Sequence, residues 1–386
     1  MIYLDNHSAS RPCTPALERM AASLQENWGA AFAPHRFGQQ LLAEAAPAYE
    51  AIYDSFRADK KETFILTSSG AEAVAQVLWS VFTEVSRKEG KAHFIASGLE
   101  DAPTMQNLKR LEELGCYAKI APVDEQGQID VAELEKLINP RTALISVTLA
   151  QGLTGVVQPI DEIAKLAREK GVLLHADASY AVGKMELSFS DSGIDYLTFS
   201  GDRIHSVKSS GGLFVKAGRP LVPLILGGTE QGGLRGGAFD LPSLCALAAA
   251  LQQSSLFLDR MGLEAVRLRD LLESEILRRI PDAKVWFSES LRLPNTSAIC
   301  FPNIHQEALL YVLNRKGIYA SMGGAYCQHL NRLLTQSKIS EKEAVSSLSF
   351  ALSRMTTEEE VVSAAKGICD AVLRLRAASV ASGGIS

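Results

Sequence analysis

The 386-residue sequence lacks the usual features of membrane, secreted and nucleic-acid-binding proteins. Its start, "MIYLDNHSAS", has no charged stretch followed by an apolar one, and no run approaches the roughly 18 uncharged apolar residues that cross a bilayer. No block of lysine and arginine stands out, and the formal net charge is -5. These features do not predict a basic surface for nucleic acid or anionic lipid. We therefore expect a cytoplasmic protein whose partners are small molecules or other proteins.

Cysteine is scarce and scattered. No pair has CxxC spacing, so the sequence indicates neither a zinc site nor a disulfide framework. We expect most of the cysteines to be small core residues. The six are Cys13, Cys116, Cys245, Cys300, Cys327 and Cys369.

Apolar β-rich segments alternate with helical patterns through the first half of the chain. Hydrophobic residues make up 47% of a length that suggests two or three domain-sized units. The pattern consists of strand-like runs at 63–69, 92–97, 142–150 and 172–179 and helical patterns at 71–88, 103–114 and 160–170. This alternation is typical of βαβ units. The sequence therefore predicts an α/β fold with a mostly parallel sheet.

The pattern changes near residue 255. Longer helical patterns at 263–280, 305–316 and 357–377 now flank short strand-like runs at 283–288, 297–302 and 317–321. This arrangement predicts a second, smaller α+β domain. The last ten or so residues, "AASVASGGIS", are small and polar, and we expect them to be disordered.

Four polar segments lie where strands of the predicted sheet would end. In open α/β sheets, ligands bind beyond the carboxyl ends of the strands. The first segment is a glycine turn that opens a helix, and its free N–H groups can hold a phosphate. The segments are "TSSGAEAV" (67–74), "SGLEDAP" (97–103), "AQGLTG" (150–155) and "HADASYAVGK" (175–184).

Asp177 in the last of these segments has two interpretations. It stands at a strand end among small residues, where its carboxylate can accept a hydrogen bond from a cationic ring nitrogen. Alternatively it is the N-cap of a following helix. His175, two residues earlier, points to the same sheet face and is more typical of a hydrogen-bonded core residue than of a base.

Seven segments occur in a fixed order along the chain: "MIYLDNHSASRP", "PHRFG", "TSSGAEA", "HADASYAVGK", "SGDRIHSVKSSGGLFV", "GGTEQGGLRGG" and "SFALSRMTTEEEV". Together they resemble the cysteine desulfurases, in the class V aminotransferase group of fold-type I pyridoxal phosphate (PLP) enzymes. The resemblance runs from Tyr3 to about Ala371. It implies a homodimer, with a large α/β PLP domain at 16–254 and a small α+β domain built from 1–15 and 255–386.

The resemblance places an arginine where the family has its Schiff-base lysine. In the family, that lysine belongs to an S-(S/G)-H-K motif, and this chain has Ser200-Gly201-Asp202-Arg203. A Schiff base needs a neutral amine, whereas a guanidinium stays protonated at any physiological pH. Arg203 cannot replace the lysine in this role. Lys208 matches a second family lysine and is the alternative Schiff-base residue.

The positions that would surround the cofactor also depart from the family. Asp177, which would pair with the pyridine nitrogen, and Ser200 match. The other aligned positions carry different residues in this chain. Asp101 replaces the family's ring-stacking histidine, Gln151 its asparagine, Tyr180 its glutamine, Asp202 its second histidine, and Ala238 the threonine contributed by the partner subunit. The phosphate turn, Ser69-Gly70-Ala71, aligns in two registers that replace the family's threonine by Ala71 or by Glu72.

The substrate site implied by the resemblance departs as well. The arginine that binds the carboxylate of cysteine aligns with Ser349, which removes a charge-assisted bidentate contact. Arg354 matches a different, structural arginine. In the loop at 319–330, Tyr326 takes the place of the sulfur-accepting cysteine, and Cys327, one step later, is a candidate shifted sulfur carrier.

These departures favour a pseudoenzyme that keeps the dimeric fold for binding or assembly, with PLP expected from the family but its covalent binding in doubt. Asp101 and Asp202 would face a dianionic cofactor, and its covalent anchor is missing. Buried carboxylates need partners. We therefore expect Arg203 to form a salt bridge with Asp177 or Asp101, and Tyr180 to help fill the vacated pocket.

Two other hypotheses remain open. One is an active PLP-dependent cysteine desulfurase or aminotransferase that releases sulfur from cysteine for iron–sulfur clusters or sulfur transfer. The other is a pocket rebuilt for a small cationic or zwitterionic molecule. A sulfur-acceptor or iron–sulfur scaffold protein is a further candidate partner.

Overall fold

The computed structural model describes residues 1–324 and 328–382, apart from the side chains of residues 260, 261 and 380–382. The helices are α1 Thr14–Glu26, α2 Arg36–Ser55, α3 Gly70–Val81, α4 Arg87–Glu89, α5 Ala102–Glu113, α6 Val131–Leu137, α7 Ile160–Lys170, α8 Leu241–Leu256, α9 Leu258–Arg279, α10 Gln306–Arg315, α11 Leu330–Gln336, α12 Glu341–Ala344 and α13 Glu358–Ser382. The strands are β1 Ile2–Tyr3, β2 Thr63–Thr67, β3 His93–Ser97, β4 Tyr117–Ala121, β5 Thr142–Thr148, β6 Leu173–Asp177, β7 Tyr196–Ser200, β8 Gly211–Val215, β9 Lys284–Val285, β10 Thr296–Cys300, β11 Ile318–Tyr319 and β12 Ser347–Ala351.

The main sheet has the strand order β2-β8-β7-β6-β5-β3-β4. From β4 to β7, all neighbouring strands run parallel. Only β8 is reversed, and it pairs antiparallel with β7 and with β2. Strands β3 and β5 are buried along their whole length, as expected for a sheet covered on both faces. The predicted α/β class with a mostly parallel sheet is confirmed.

Glycine allows β8 to pass close to the turn that precedes α3. A Cβ atom on Gly211 would lie 2.5 Å from the backbone carbonyl carbon of Ser69. No side chain fits in that gap without moving the main chain. Gly211 pairs with Ser200 of β7 and with Thr67 of β2, so it brings the ends of both strands next to the opening of α3.

Both ends of the chain contribute to a second core. Strand β1 pairs with β11, and the order β12-β10-β9 forms an antiparallel sheet. Leu4 packs in one apolar cluster with residues of α9, α10 and α13, among them Leu272, Leu309 and Ile368. The division of the chain at residues 15 and 254 stays a prediction.

Several elements differ from the sequence prediction. The helix expected over 71–88 is broken into α3, a π-helical segment at Phe82–Ser86 and α4. Strand β4 was not predicted because it lies at the sheet edge, where most of its residues face solvent. The expected disorder of the last ten residues is wrong for 377–382, which continue α13, because alanine-rich sequence favours a helix. Residues 383–386 lie outside the described residues.

The described cysteines are free thiols. Four of them, Cys13, Cys116, Cys300 and Cys369, are buried, and Cys245 is half-buried, which confirms their expected place in the core. In the described part of the chain, no helix has both the length and the apolar character needed to cross a membrane.

Candidate functional site

The polar strand ends of the main sheet meet beside α5. Asp177 is the last residue of β6 and Ser200 the last of β7. Arg203 closes a single 3-10 turn that follows β7 directly. Asp101 is the residue before α5, and Pro103 in the first turn fixes the entry into that helix. Residues from three separate segments therefore come together at one edge of the sheet.

Arg203, Asp101 and Tyr180 form a compact buried group. Arg203 Nη2 lies 3.5 Å from Asp101 Oδ2, and the Tyr180 hydroxyl donates a hydrogen bond of 2.5 Å to the same oxygen. The guanidinium carbon of Arg203 lies 4.1 Å from the centroid of the Tyr180 ring. Arg203 and Asp101 are each 7% exposed and Tyr180 is 3% exposed. The expected salt bridge is confirmed with Asp101, not Asp177, as the partner.

Tyr180 fills space that a smaller side chain would leave open. Its ring lies against the backbone of Gly152, where an added Cβ would come within 2.1 Å of a ring carbon. The hydroxyl reaches Asp101 from this position, so the ring crosses the space between the end of β6 and the start of α5. Tyr180 packs beside Asp101 as expected, and its part in filling a vacated cofactor pocket stays a prediction.

A second carboxyl group, Glu100, lies next to Asp101 and was not found from the sequence. It is fully buried, and its Oε1 accepts hydrogen bonds from Ser97 Oγ and from the N–H of Thr148. Its Oε2 is buried without a hydrogen-bond partner. Burial raises the pKa of Glu100 to about 8, and the neighbouring carboxylates of Asp177 and Asp101 raise it further. Glu100 is therefore a protonated, neutral group at pH 7.

Burial also raises the pKa of Asp101, while the charge of Arg203 and the Tyr180 hydroxyl act in the opposite direction. Gln328 adds a third contact, because its backbone N–H lies 3.3 Å from Asp101 Oδ1. Its side-chain amide donates to the carbonyl oxygens of Gly98 and Glu100. The chain just after the 325–327 segment is thus fastened to the residues that precede α5.

Asp177 does not cap a helix. Residues 179–184 form turns, so the N-cap interpretation is wrong. The carboxylate instead accepts the N–H of Ser179 at 2.9 Å, which is a local turn contact. His175 is fully buried, with Nδ1 2.8 Å from Ser146 Oγ and Nε2 2.9 Å from Thr198 Oγ1. Burial lowers its pKa to about 4, and the expected role as a core residue is confirmed.

The other candidate cofactor-binding residues are occupied by contacts within the chain. Ser200 Oγ donates to Asp202 Oδ1 at 2.7 Å. The Asp202 carboxylate therefore points toward Ser200 at the end of β7. Among the described contacts, no ion pair joins Asp202 to Arg203. Gln151 Nε2 donates to the carbonyl of Leu99, and its Oε1 accepts the N–H of Leu153 at 2.6 Å.

The turn before α3 is closed by Glu72. Gly70 is the first residue of α3, and the Ser69 hydroxyl accepts the N–H of Glu72. The Glu72 carboxylate accepts the N–H of Ser68 at 2.8 Å and pairs with Arg235 Nε at 3.0 Å. This ion pair fastens the glycine-rich loop, which is the segment "GGTEQGGLRGG" at 227–237, to the turn. Ala71 and Ala238 are exposed and have no hydroxyl to offer a phosphate.

The two serines of the predicted substrate region point into the protein. Ser349 lies in β12, is fully buried, and donates its hydroxyl to the carbonyl of Leu153 at 2.7 Å. Its backbone pairs with Ser321 across a β-bridge. No arginine occupies this position. Tyr326 and Cys327 lie outside the described residues.

The lysine nearest to this site is Lys184, which the sequence reasoning passed over although it ends the quoted segment "HADASYAVGK". Its Nζ donates to the carbonyl of Tyr180 at 3.0 Å. Burial, together with the charge of Arg203, lowers its pKa to about 7. Lys208, the predicted alternative, is exposed on the turn before β8. A run of small residues before Lys184 was the available signal of burial.

Comparison with known proteins identifies the family. The family profile described as Aminotransferase class-V matches residues 2–363. A cysteine desulfurase from Nostoc sp. is 33% identical over 382 residues, which cover 98% of this chain and 94% of the relative. This chain belongs to the class V aminotransferase family. The family's cysteine desulfurases depend on PLP, so the resemblance found in the sequence is confirmed at the level of family, fold and cofactor class.

Other relatives support the same assignment to the class V aminotransferase family. The cysteine desulfurase NifS of Azotobacter vinelandii is 30% identical over 378 residues, which cover 97% of this chain and 93% of the relative. A solved structure described as a NifS-like protein matches with a TM-score of 0.89 and 27% identity, covering 96% of this chain and 98% of that one. Within the described residues, this class V chain has no group of three or more histidine, cysteine or acidic side chains arranged to hold a metal ion.

Proposed function

We propose that this chain is a cysteine-desulfurase-like protein that keeps the class V fold for binding or assembly and does not carry out covalent PLP chemistry. One observation carries the proposal: Arg203, the residue that aligns with the Schiff-base lysine, is buried against Asp101 and the ring of Tyr180. A guanidinium in that position is charged and paired. It offers no neutral amine.

The residues around Arg203 do not fit PLP. The cofactor carries a phosphate dianion, and the carboxylate of Asp177 lies close enough to raise the pKa values of Glu100 and Asp101. Tyr180 fills space beside the end of β6, between Gly152 and Asp101. The hydroxyl that would meet the phosphate from β7, that of Ser200, is bound to Asp202. We therefore propose no reaction step that passes through PLP in this chain.

The substrate side supports the same proposal. Binding the carboxylate of free cysteine calls for a cation with two donors in a fork. The aligned residue, Ser349, is neutral and donates to a backbone carbonyl. Gln151, which aligns with the family's asparagine, is also committed to backbone groups. The described contacts of Ser349 and Gln151 therefore offer no cation for the substrate carboxylate and no free amide in place of the family's asparagine.

A homodimer remains part of the proposal, because members of this family are typically dimeric. Large apolar side chains are exposed near the glycine-rich loop, with Leu226 83% exposed and Ile225 39% exposed. Trp28 is 75% exposed and Phe32 is 42% exposed, and Phe32 packs against Phe239 just after the loop. Exposed apolar residues at this density are typical of a subunit interface.

Relatives in this family pass sulfur to acceptor proteins, and a sulfur-acceptor or iron–sulfur scaffold protein is the partner class that we propose for assembly. The alternative is an active PLP-dependent cysteine desulfurase. We also propose the cytoplasm as the location, since the described cysteines are free thiols, which suits a reducing compartment.

An absorption spectrum of the purified protein with added PLP tests the proposal. We expect only the spectrum of free PLP, and no label on the chain after borohydride reduction and gel filtration. A borohydride-stable adduct, mapped by mass spectrometry to Lys184 or Lys208, would overturn the proposal and support the active enzyme. A functional cysteine desulfurase processed in parallel is the positive control.

A further inference from the structure

A small cavity lies beside Arg203, between the start of the chain and the segment that follows β12. Its volume is about 20 Å³, and the polar groups lining it include Ser10, Lys184, Arg203, His205, Ser254 and Arg354. A cavity that holds one water molecule has about 10–15 Å³ of such volume. The narrow part of the cavity therefore has the size of one water molecule or one small ion.

The charged groups around the cavity are all cationic. Among the described lining residues there is no aspartate or glutamate. Arg203 has Asp101 as its partner, but the described contacts of Lys184 and Arg354 include no carboxylate. Burial lowers the pKa of His205 to about 4, so this residue is neutral at pH 7. Arg354 faces the cavity as a cation, and Lys184, whose pKa is about 7, becomes a second one when it is protonated, with no countercharge from the described lining residues.

One guanidinium nitrogen of Arg354 has no hydrogen-bond partner. Its Nη1 donates to Ser254 Oγ at 3.1 Å, and its guanidinium also contacts Cys13. Its Nη2 is buried without a hydrogen-bond partner. Burial lowers the pKa of Arg354, and positive neighbours help to lower those of Lys184 and His7. An unpaired cationic donor in a buried position is costly unless an anion meets it.

We infer that this cavity is a binding site for one small monovalent anion, of the size and charge of chloride, held between Lys184 and Arg354. A single water molecule fits the same volume, but it would leave both charges uncompensated. A monovalent halide satisfies the size, the charge and the free Nη2 donor together.

Thermal unfolding of the full-length protein tests this inference. The protein is dialysed at pH 7 into sodium gluconate or sodium chloride of equal ionic strength. We expect Tm to be about 2 °C higher in chloride if its concentration is roughly ten times Kd. Arg354→Gln should lose this chloride-specific increase, and the exposed control Arg315→Gln should keep it.

Lys184→Met is the second variant, in case Arg354→Gln does not fold. It removes one of the two unpaired cations and should also abolish the difference between chloride and gluconate. A crystal soaked in sodium bromide should show an anomalous peak in contact with Lys184 Nζ and Arg354 Nη2. The same chloride shift in wild type, Lys184→Met and Arg315→Gln, or a water molecule at the cavity with no anomalous signal, would overturn the inference.

Discussion

The guanidinium of Arg203 lies over the ring of Tyr180, with its central carbon 4.1 Å from the ring centroid. Both side chains also approach the same oxygen of Asp101. Arg203 therefore makes a cation–π contact with Tyr180 and an ion pair with Asp101 at the same time. Each contact restricts the geometry of the other. A desolvated cation–π contact of this kind contributes roughly 2 kcal/mol.

Arg203→Ala should lower the free energy of unfolding by roughly 3–5 kcal/mol, because it leaves the Asp101 carboxylate buried without its cation. Urea denaturation measures the change. The double variant Arg203→Ala/Asp101→Asn should be more stable than the sum of the two single changes predicts. Arg315→Ala, at an exposed arginine, is the control and should stay within about 0.5 kcal/mol of wild type. Additive effects of the two buried changes would contradict the ion pair.

Tyr180→Phe should cost about 1–3 kcal/mol, because it deletes the hydrogen bond to Asp101 and keeps the packing of the ring on Gly152. Denaturation of the single variant provides the measurement. Tyr311→Phe, at a tyrosine that is 61% exposed, is the matched control and should unfold like wild type. A Tyr180→Phe protein as stable as wild type would show that the hydroxyl contributes nothing.

Arg203→Lys alone should release little sulfide from free cysteine. The change restores an amine, but Ser349 still provides no cation for the substrate carboxylate and Tyr326 still aligns with the sulfur-accepting cysteine. Sulfide production is measured with added PLP, beside Arg203→Met, which has no amine. We expect the two variants to give equal, near-background rates. A large excess from Arg203→Lys would show that the lost lysine was the sole barrier to activity.

Glu100→Gln should change how stability depends on pH. The folded pKa of Glu100 is about 8 and the ordinary value is 4.5, so the folded state keeps a proton that the unfolded state has released. Between these values, the stability of wild type relative to Glu100→Gln should fall by about 1.4 kcal/mol per pH unit. Below pH 4.5 the two curves should run parallel. Glutamine retains an oxygen acceptor for Ser97 Oγ and the Thr148 N–H.

Denaturation at a series of pH values provides the test. Parallel curves from pH 4.5 to 8 would mean that Glu100 ionises normally in the folded protein. Glu112→Gln, a change at an exposed position of α5, should give a curve parallel to that of wild type over this range.

Leu226→Glu should weaken self-association by tenfold or more, because the side chain is 83% exposed next to the glycine-rich loop and would bury a charge in the proposed interface. Sedimentation at micromolar concentration follows the dimer. Leu114→Glu, at the end of α5, is the control and should leave the dimer intact. A stable monomer of the wild-type protein would refute the dimer itself.

Strands β2, β3, β5 and β6 of the main sheet could be predicted from the sequence because their residues are mostly apolar. β12 was missed because "SLSFA" alternates serine with apolar residues, although all five residues are buried by packing against the other elements. β4 was missed for the opposite reason, since its edge position leaves it largely exposed. An apolar run in the sequence therefore identifies a strand only where its residues are themselves apolar along most of its length.

Prediction of the candidate site from the sequence was limited in a similar way. The length and charge of arginine predicted a carboxylate partner for Arg203, but the choice of Asp101 over Asp177 depends on the position of α5 relative to β7. Glu100 was missed because nothing in its surrounding sequence marks it as buried, and Lys184 was missed although a run of small residues precedes it. Their pKa shifts arise from packing of segments that lie far apart in the chain.

The shared contacts of Arg203, Asp101 and Tyr180 link any replacement of Arg203 by lysine to the other two side chains. Reverting Arg203 alone removes one partner of Asp101 and leaves Tyr180 in the pocket, and reverting Tyr180 alone leaves Arg203 without its aromatic face. Each single substitution within this group should therefore give a less stable protein. For the proposed pseudoenzyme, this coupling would oppose a stepwise change to a lysine-based site.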